Sequence, residues 1–299
     1  MNQKVKSLCL RSIDAAHRFL LSTFAGNKSS RSIYAGRMSD SEKTPYVQCI
    51  EAIVKSTNLR KKFRRVFMYR EIVETVSYPQ GKKYLDRIIR LNRQDNLDFS
   101  SYIQNDLIGK PITYKYSSSL KISPTTLRYV SVSRELREIF GTHLSGSFVE
   151  IGAGYGGQAS ILMKDFKVTK YSIFDLPEAQ MISKYFLEEL RNQTSATMCT
   201  LFDNTKEIYD IAISNYAFSE LPKEIQDQYI THVLQKSKRG YLIMNSGLSN
   251  YTGRQDGKYT LTELREKLPP FDIFEELPKT GPDNYVIVWG HEKTWNPAV

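Results

Sequence analysis

Val149-Glu150-Ile151-Gly152-Ala153-Gly154-Tyr155-Gly156-Gly157-Gln158 sets an acidic residue in an apolar run, then a glycine-rich turn, then the start of a helical pattern. Upstream, Gly146-Ser147-Phe148 completes a strand that leaves a turn. Downstream, Ala159-Ser160-Ile161-Leu162-Met163 continues a helix. Gly152, Gly154 and Gly157 fit G-x-G-x-x-G, with Gly156 as an extra glycine. Glycine is needed where the backbone turns tightly and approaches a ligand within contact distance, because a Cβ would obstruct it. Many strand–helix turns carry two glycines for packing alone, so the flanking segments decide the reading. Lys170-Tyr171-Ser172-Ile173-Phe174 reads as the next strand and ends at Asp175. In a nucleotide-binding β-α-β unit a carboxylate at this place accepts two ribose hydroxyls.

From Phe148 onward, strands and helices alternate. Later strands are expected at Thr197–Phe202, Tyr209–Asn215 and Gly240–Asn245, with a helix at 260–268 before Phe271–Phe274 and a last strand at Asn284–Trp289. Alternation predicts a mostly parallel sheet covered on both faces. Only Glu275–Asp283 separates the last two strands. That is too short for a helical crossover, so this pair should be antiparallel. The fold class is therefore α/β, a Rossmann-like parallel sheet with a terminal antiparallel hairpin, preceded by a mainly helical region. The domain boundary is expected at 122/123, where Ser123-Pro124 opens a helix that ends at Gly141.

The chain has 299 residues, with 40% hydrophobic and 25% charged residues, ordinary for a soluble globular protein. No apolar run approaches the ~20 residues that span a bilayer. Lys4 and Lys6 precede a short apolar segment that Arg11, Asp14, His17 and Arg18 interrupt, which is not a signal-peptide pattern. Cys9, Cys49 and Cys199 are odd in number and widely spaced, as expected for free thiols in a reducing compartment, with no zinc pattern. A cytoplasmic protein is expected. Residues 1–140 carry 26 Lys and Arg against 12 Asp and Glu; residues 141–299 carry 16 against 20. The basic half suits an anionic partner, whether a phosphate-bearing substrate, nucleic acid or the inner-membrane surface; a solvated helical face is the plain alternative.

Within that half, 1–25 reads as an amphipathic helix and 26–43 as a linker. Thr44-Pro45 opens a helix, Leu59 to Val76 forms a second, and Tyr78-Pro79-Gln80-Gly81 is a turn before a helix from Lys83 to Leu91. Arg60-Lys61-Lys62-Phe63-Arg64-Arg65 holds five cations in six residues. It is the sharpest candidate for phosphate contact, and a solvated helix face is its plain alternative.

Three segments carry a resemblance: the glycine turn, Phe174-Asp175-Leu176-Pro177-Glu178, and Ser214-Asn215-Tyr216-Ala217-Phe218-Ser219-Glu220-Leu221, with Ser123-Pro124-Thr125-Thr126-Leu127-Arg128-Tyr129 upstream. Together they resemble the sugar O-methyltransferases of bacterial polysaccharide gene clusters, over roughly residues 105–290. The resemblance implies a class I methyltransferase that uses S-adenosyl-L-methionine on a sugar or glycan acceptor, anionic or lipid-linked, of a surface polysaccharide or lipopolysaccharide. It implies that Glu150, Gly152, Ala153, Gly154, Tyr155, Gly157 and Gln158 hold the methionine part and approach the ribose. Asp175 would take the ribose hydroxyls, Leu176 and Phe202 the adenine ring, and Asp203 its amino group. Asn215 and Tyr216 would lie beside the sulfonium and the acceptor. Arg128, Tyr129 and Tyr216 are the candidate substrate contacts. A sugar hydroxyl is a poor nucleophile, so a base should assist. Glu220 is the first candidate, with His143 and His232 as alternatives; no compact cluster argues for a metal. A nicotinamide-dependent oxidoreductase, a nucleic-acid methyltransferase and a non-catalytic assembly protein are the competing classes. The Asn215 segment lacks the prolines of a base-holding Asn-Pro-Pro-Tyr motif.

Overall fold

The structure, a computed structural model, describes residues 45–92, 97–190, 196–201, 207–245, 258–282 and 284–291. The helix expected over 1–25, the linker over 26–43, Thr44, Cys9, and the candidate adenine contacts Phe202 and Asp203 lie outside the described residues. Cys49 and Cys199 form no disulfide.

Seven strands form one sheet: β1 (Ser145–Ile151), β2 (Lys167–Phe174), β3 (Ala196–Cys199), β4 (Ile211–Asn215), β5 (Gly240–Met244), β6 (Asp272–Glu275) and β7 (Tyr285–Trp289). Their order across the sheet is β3-β2-β1-β4-β5-β7-β6. The first five run parallel, and β7 inserts antiparallel between β5 and β6. The strand order reverses between β1 and β4, the place where open α/β sheets leave a crevice for a ligand. This is the Rossmann-like sheet with a closing hairpin that the alternation and the short 275–283 connection predict. β1, β4 and β5 are buried at nearly every position of their second halves because helices cover both faces.

Helices α1 (Pro45–Lys55), α2 (Phe67–Val73), α3 (Tyr78–Leu91) and α4 (Pro124–Phe140) precede β1. α5 (Gly157–Asp165) and α6 (Pro177–Glu189) follow β1 and β2; α7 (Ala217–Glu220) and α8 (Lys223–Tyr229) follow β4; α9 (Leu261–Lys267) precedes β6. The described residues fall in one compact unit, and contacts between α3 and α4 run across residue 122. Among the described residues no helix is long and apolar enough to cross a membrane.

Two local expectations are corrected. The single helix expected over 59–76 is broken into a turn at Thr57–Arg60, a 3-10 turn at Phe63–Arg65 and α2. The break turns Phe63 and Arg64 inward, and both have no exposed surface. Tyr78–Gly81 is not a turn before a helix but the first turn of α3: Ser77 caps Gln80, whose side chain bonds back to Ser77. Such a capping box satisfies two of the orphan N–H groups, which is why Pro79 is tolerated there.

Buried ion pairs join the helical part to the sheet. Arg64 pairs with Glu74 and with Asp106 at 3.2 Å, and donates to the Asn105 carbonyl and to Ser123 Oγ, the cap of α4. Arg87 of α3 meets Glu135 of α4 at 3.2 Å, and Glu135 accepts from Tyr241 of β5 at 2.6 Å. Arg134 meets Asp165 at 2.8 Å. Arg64 is thus a structural cation and not the phosphate contact that its basic run suggested; Lys61, Lys62 and Arg65 of that run are exposed. Removing one member of a buried pair strands the other, at roughly 3–5 kcal/mol. Arg64→Met is expected to destabilise by that amount because it strands two carboxylates, and Lys62→Met to leave stability unchanged. Urea denaturation of the two variants checks this; equal midpoints would overturn the role of Arg64.

Candidate active site

The carboxyl ends of β1, β2, β4 and β5 meet at a cavity of about 450 Å³. The glycine turn and Asp175 form one end. Gly152 has φ +76°, and a Cβ there would stand 2.0 Å from that of Ala217. Gly154 has φ +60° and donates its N–H to Asp175 Oδ2 at 2.8 Å. Both positions therefore require glycine, one for close packing of the turn on α7 and one for backbone direction.

Two carboxylates face this end, Glu150 buried and Asp175 half-buried. Glu150 is 1% exposed and accepts from the Tyr171 hydroxyl at 2.7 Å through Oε2. Burial pushes its pKa up to about 7, against the lowering effect of Tyr171 and with a further push from Asp175. Asp175 accepts from Gly154 N–H and, through Oδ1, from Leu176 N–H at 2.7 Å. Burial raises its pKa to about 6, and the two backbone donors offset part of that. Each Asp175 oxygen keeps capacity for a further donor.

The other end is lined by amides, hydroxyls, one guanidinium (Arg128) and one carboxylate (Glu220). Tyr216 ends the β4 segment with φ +71°, a conformation that costs a non-glycine residue about 1–3 kcal/mol. Its hydroxyl bonds to Glu276, a buried carboxylate that also accepts from Thr280 N–H at 3.0 Å and Asn284 Nδ2 at 3.0 Å. Glu220 accepts from Asn245 Nδ2 at 2.9 Å. Asn215 Nδ2 donates to Gln158 Oε1 at 3.3 Å, and its Oδ1 is buried without a partner.

So the structure brings Glu150, Gly152, Ala153, Gly154, Asp175, Asn215, Tyr216, Glu220, Arg128 and Tyr129 to one cavity. It does not bring the rest. Tyr155 is fully buried on the far side of the turn, its ring 4.8–6.0 Å from those of Phe63, Tyr129 and Phe186. A large aromatic gains more from that apolar seam than from a wet cavity. Gln158 is buried behind the site, where it donates to the Tyr129 carbonyl and holds Asn215. Gly157 packs against the rings of Tyr155 and Tyr129. Leu176 caps α6 and packs partly on the core. His143 is exposed before the amino end of β1, a seven-residue strand of about 20 Å from the glycine turn, and cannot serve as its base. His232 lies on the π-helical turn after α8, away from the lining.

Sequence reasoning missed the contribution of the helical part. Tyr46 of α1, Ile72 and Val73 of α2, the Thr75-Val76 link and Gln80 all line the cavity, as do Thr280 and Asn284 from the hairpin loop. None belongs to a motif; only the packing of the broken 57–73 segment puts them there. Among the described residues no group of three or more His, Cys, Asp or Glu is placed to hold a metal ion.

No family model matches the sequence, and no curated protein matches it. Solved structures do show likeness. The methyltransferase domain of bacterial CtHen1-CN is 14% identical over 54% of this chain and 96% of its own, with TM-score 0.39. An rRNA methylase from Streptococcus thermophilus is 14% identical over 52% of this chain and 92% of its own, with TM-score 0.38. The DhpI–SAM–HEP complex is 15% identical over 48% and 78%, with TM-score 0.35.

The raised Glu150 pKa has a signed consequence. A carboxyl that holds its proton more tightly when folded contributes less stability as pH rises from 4.5 to about 7, and a constant amount above that. Over that window the unfolding free energy of the wild type should fall relative to Glu150→Gln by roughly 3 kcal/mol. Chemical denaturation of both proteins at each end of the window measures it; a constant difference would show that the carboxyl is not perturbed.

Proposed function

We propose that the protein is an S-adenosyl-L-methionine-dependent O-methyltransferase that acts on a hydroxyl of a sugar, in a bacterial surface glycan or its precursor. The observation that carries this reading is the joining, in one cavity, of the turn and the carboxylates Glu150 and Asp175 with an end rich in amides and hydroxyls. The residues fit an adenosyl donor. Asp175 retains acceptor capacity for two ribose hydroxyls beside its backbone bonds. Glu150 keeps one oxygen without a partner among the described residues, suited to the cationic methionine part. The sheet supports it too, since the antiparallel β7 belongs to class I methyltransferases and not to the usual dinucleotide-binding dehydrogenase.

When bound, S-adenosyl-L-methionine supplies a methyl group that the acceptor oxygen takes in line, as the thioether leaves and the hydroxyl proton is released. The chain's own part is placement and proton removal. Glycines 152 and 154 let the backbone come close; Asp175 and Glu150 orient the donor; Asn215 and Tyr216 border the acceptor. Alignment of this kind supplies a large share of the barrier reduction. Glu220 is the base that this reading assigns, as the cavity-lining carboxylate next to Asn215 and Tyr216. Asn245 orients it through one oxygen and leaves the other for the proton. Rings and amides suit a polyhydroxylated ligand, since sugars present both apolar faces and hydroxyl edges. The exposed Lys61, Lys62 and Arg65 would serve contact with an anionic membrane surface or glycan. Nucleic acid is the less favoured acceptor, because the Asn215 segment lacks the prolines of a base-holding motif.

Asp175→Ala should weaken S-adenosylhomocysteine binding by about 100-fold or more, as two hydrogen bonds to a charged group are lost. Calorimetry reads this, and a wild type that binds neither S-adenosylmethionine nor S-adenosylhomocysteine would end the proposal. Glu220→Gln should lower turnover by about 100-fold, within the usual range for a general base, with the cofactor affinity kept. A labelled-methyl assay on polysaccharide extracts measures turnover, and an unchanged rate would remove Glu220 as the base.

A further inference from the structure

Of the described arginines on or against α4, Arg128 and Arg137 have no carboxylate partner, and of these two Arg128 lines the cavity. Arg64, Arg87 and Arg134 each have a carboxylate within 3.2 Å. Arg128 lines the cavity, and no carboxylate of a described residue stands within ion-pair distance of it. Its Nε is buried and has no hydrogen-bond partner. The neighbours of its charge are phenols: the guanidinium carbon lies 5.3 Å from the centre of the Tyr129 ring and 5.9 Å from that of Tyr216, and Tyr84 is the third. Ring faces attract a cation, but less strongly than a paired carboxylate does. Arg128 as a whole is half-buried, and a cation that lines a ligand cavity with no carboxylate of its own is placed to take its partner from the ligand. The two carboxylates of the donor end do not supply it. The Glu276 carboxylate, whose bonds go to Tyr216, Thr280 and Asn284, does not either.

We infer that Arg128 is the anion-recognition residue of the acceptor end, and that the acceptor carries a carboxylate or phosphate next to the hydroxyl that is methylated. This rests on the methyltransferase reading of the cavity. A planar guanidinium with a free Nε offers the two-pronged geometry that both anions accept. A uronic-acid unit and a sugar phosphate are the two sources of that chemistry. The rings of Tyr129 and Tyr216 flank the guanidinium carbon at 5.3 and 5.9 Å. A neutral sugar would leave the guanidinium unpaired in the complex and bind more weakly for that reason.

The test follows the arginine Nε–H signals of the full-length protein by nitrogen-15 NMR, with Arg128→Lys used to assign the Arg128 signal. D-glucuronate, D-glucose 6-phosphate and D-glucose are titrated in turn at millimolar concentrations, with S-adenosylhomocysteine present and absent. The Arg128 signal should shift with glucuronate or with the phosphate, and which of them acts identifies the source; glucose should leave it in place. Arg128→Gln should lose at least about tenfold in affinity for the active anion, and Arg128→Lys should keep part of it. A signal that responds to neither anion, or that moves equally with glucose, overturns the inference. Failure of the underlying reading is a separate result. A protein that binds no S-adenosylhomocysteine yet shifts its Arg128 signal with an anion has an anion site without the methyltransferase function.

Discussion

Arg64 has no exposed surface, and the rest of the structure hangs on the way its charge is neutralised. Its four hydrogen bonds reach Glu74 in the segment after α2, Asn105 and Asp106 before α4, and Ser123 at the α4 cap. Its guanidinium also lies 4.6 Å from the centre of the Tyr155 ring, inside the glycine turn. One cation thus ties three segments of the helical part to the turn that forms the cavity. The same loop reaches further, since Asn105 donates to the Gly157 carbonyl and accepts from Ser160 of α5. Burying such a centre is costly, and it is held only because every charge in it is met. The arrangement gives the cavity a wall from the helical part, made of Tyr46, Ile72, Val73 and Gln80.

The sheet imposes a second constraint. Parallel strands put their carboxyl ends on one edge, so the side chains that follow β1, β2, β4 and β5 converge whatever else the sequence does. Glu150 is the penultimate residue of β1 and Asp175 the first after β2. The register, Glu150 beside Ile173 and Ile151 beside Phe174, brings the two acids to the same level. Burial without cations raises the pKa of both. That cost is tolerated where a ligand with hydroxyl donors and positive charge relieves it.

This division explains what could be read from the sequence. The seven strands, their alternation with helices and the antiparallel close follow from apolar runs and loop lengths, both local properties. The glycine turn and Asp175 were legible because backbone direction and strand ends leave chemical marks. Tyr155 and Gln158 were misread for the opposite reason. A motif fixes where the backbone goes, and which face a side chain takes depends on packing partners a hundred residues away, such as Phe63. The basic run at 60–65 gave no sign that its fourth cation turns inward, since that depends on Glu74 and Asp106. His143 looked plausible only while the end of β1 that it occupies was unknown.

Tyr216 joins the two halves of the argument. A non-glycine residue at φ +71° is uncommon, and glycine would remove the backbone cost. The side chain must therefore return more than it costs. Its hydroxyl engages Glu276 and stands 3.2 Å from Thr280 Oγ1, which fixes the hairpin loop against β4. Its ring meanwhile stands over Arg128, the one guanidinium of the cavity left without a carboxylate. The backbone contortion aims both functions at once, because an ordinary helical or extended φ would send the ring elsewhere. Strain at the end of β4, an unpaired cation across from it and two unpaired acids at the donor end are then parts of one design. The strain is met within the protein by the bonds to Glu276 and Thr280, whereas the cation and the two acids are unfavourable in the free protein and, on the proposed reading, are relieved by the ligand.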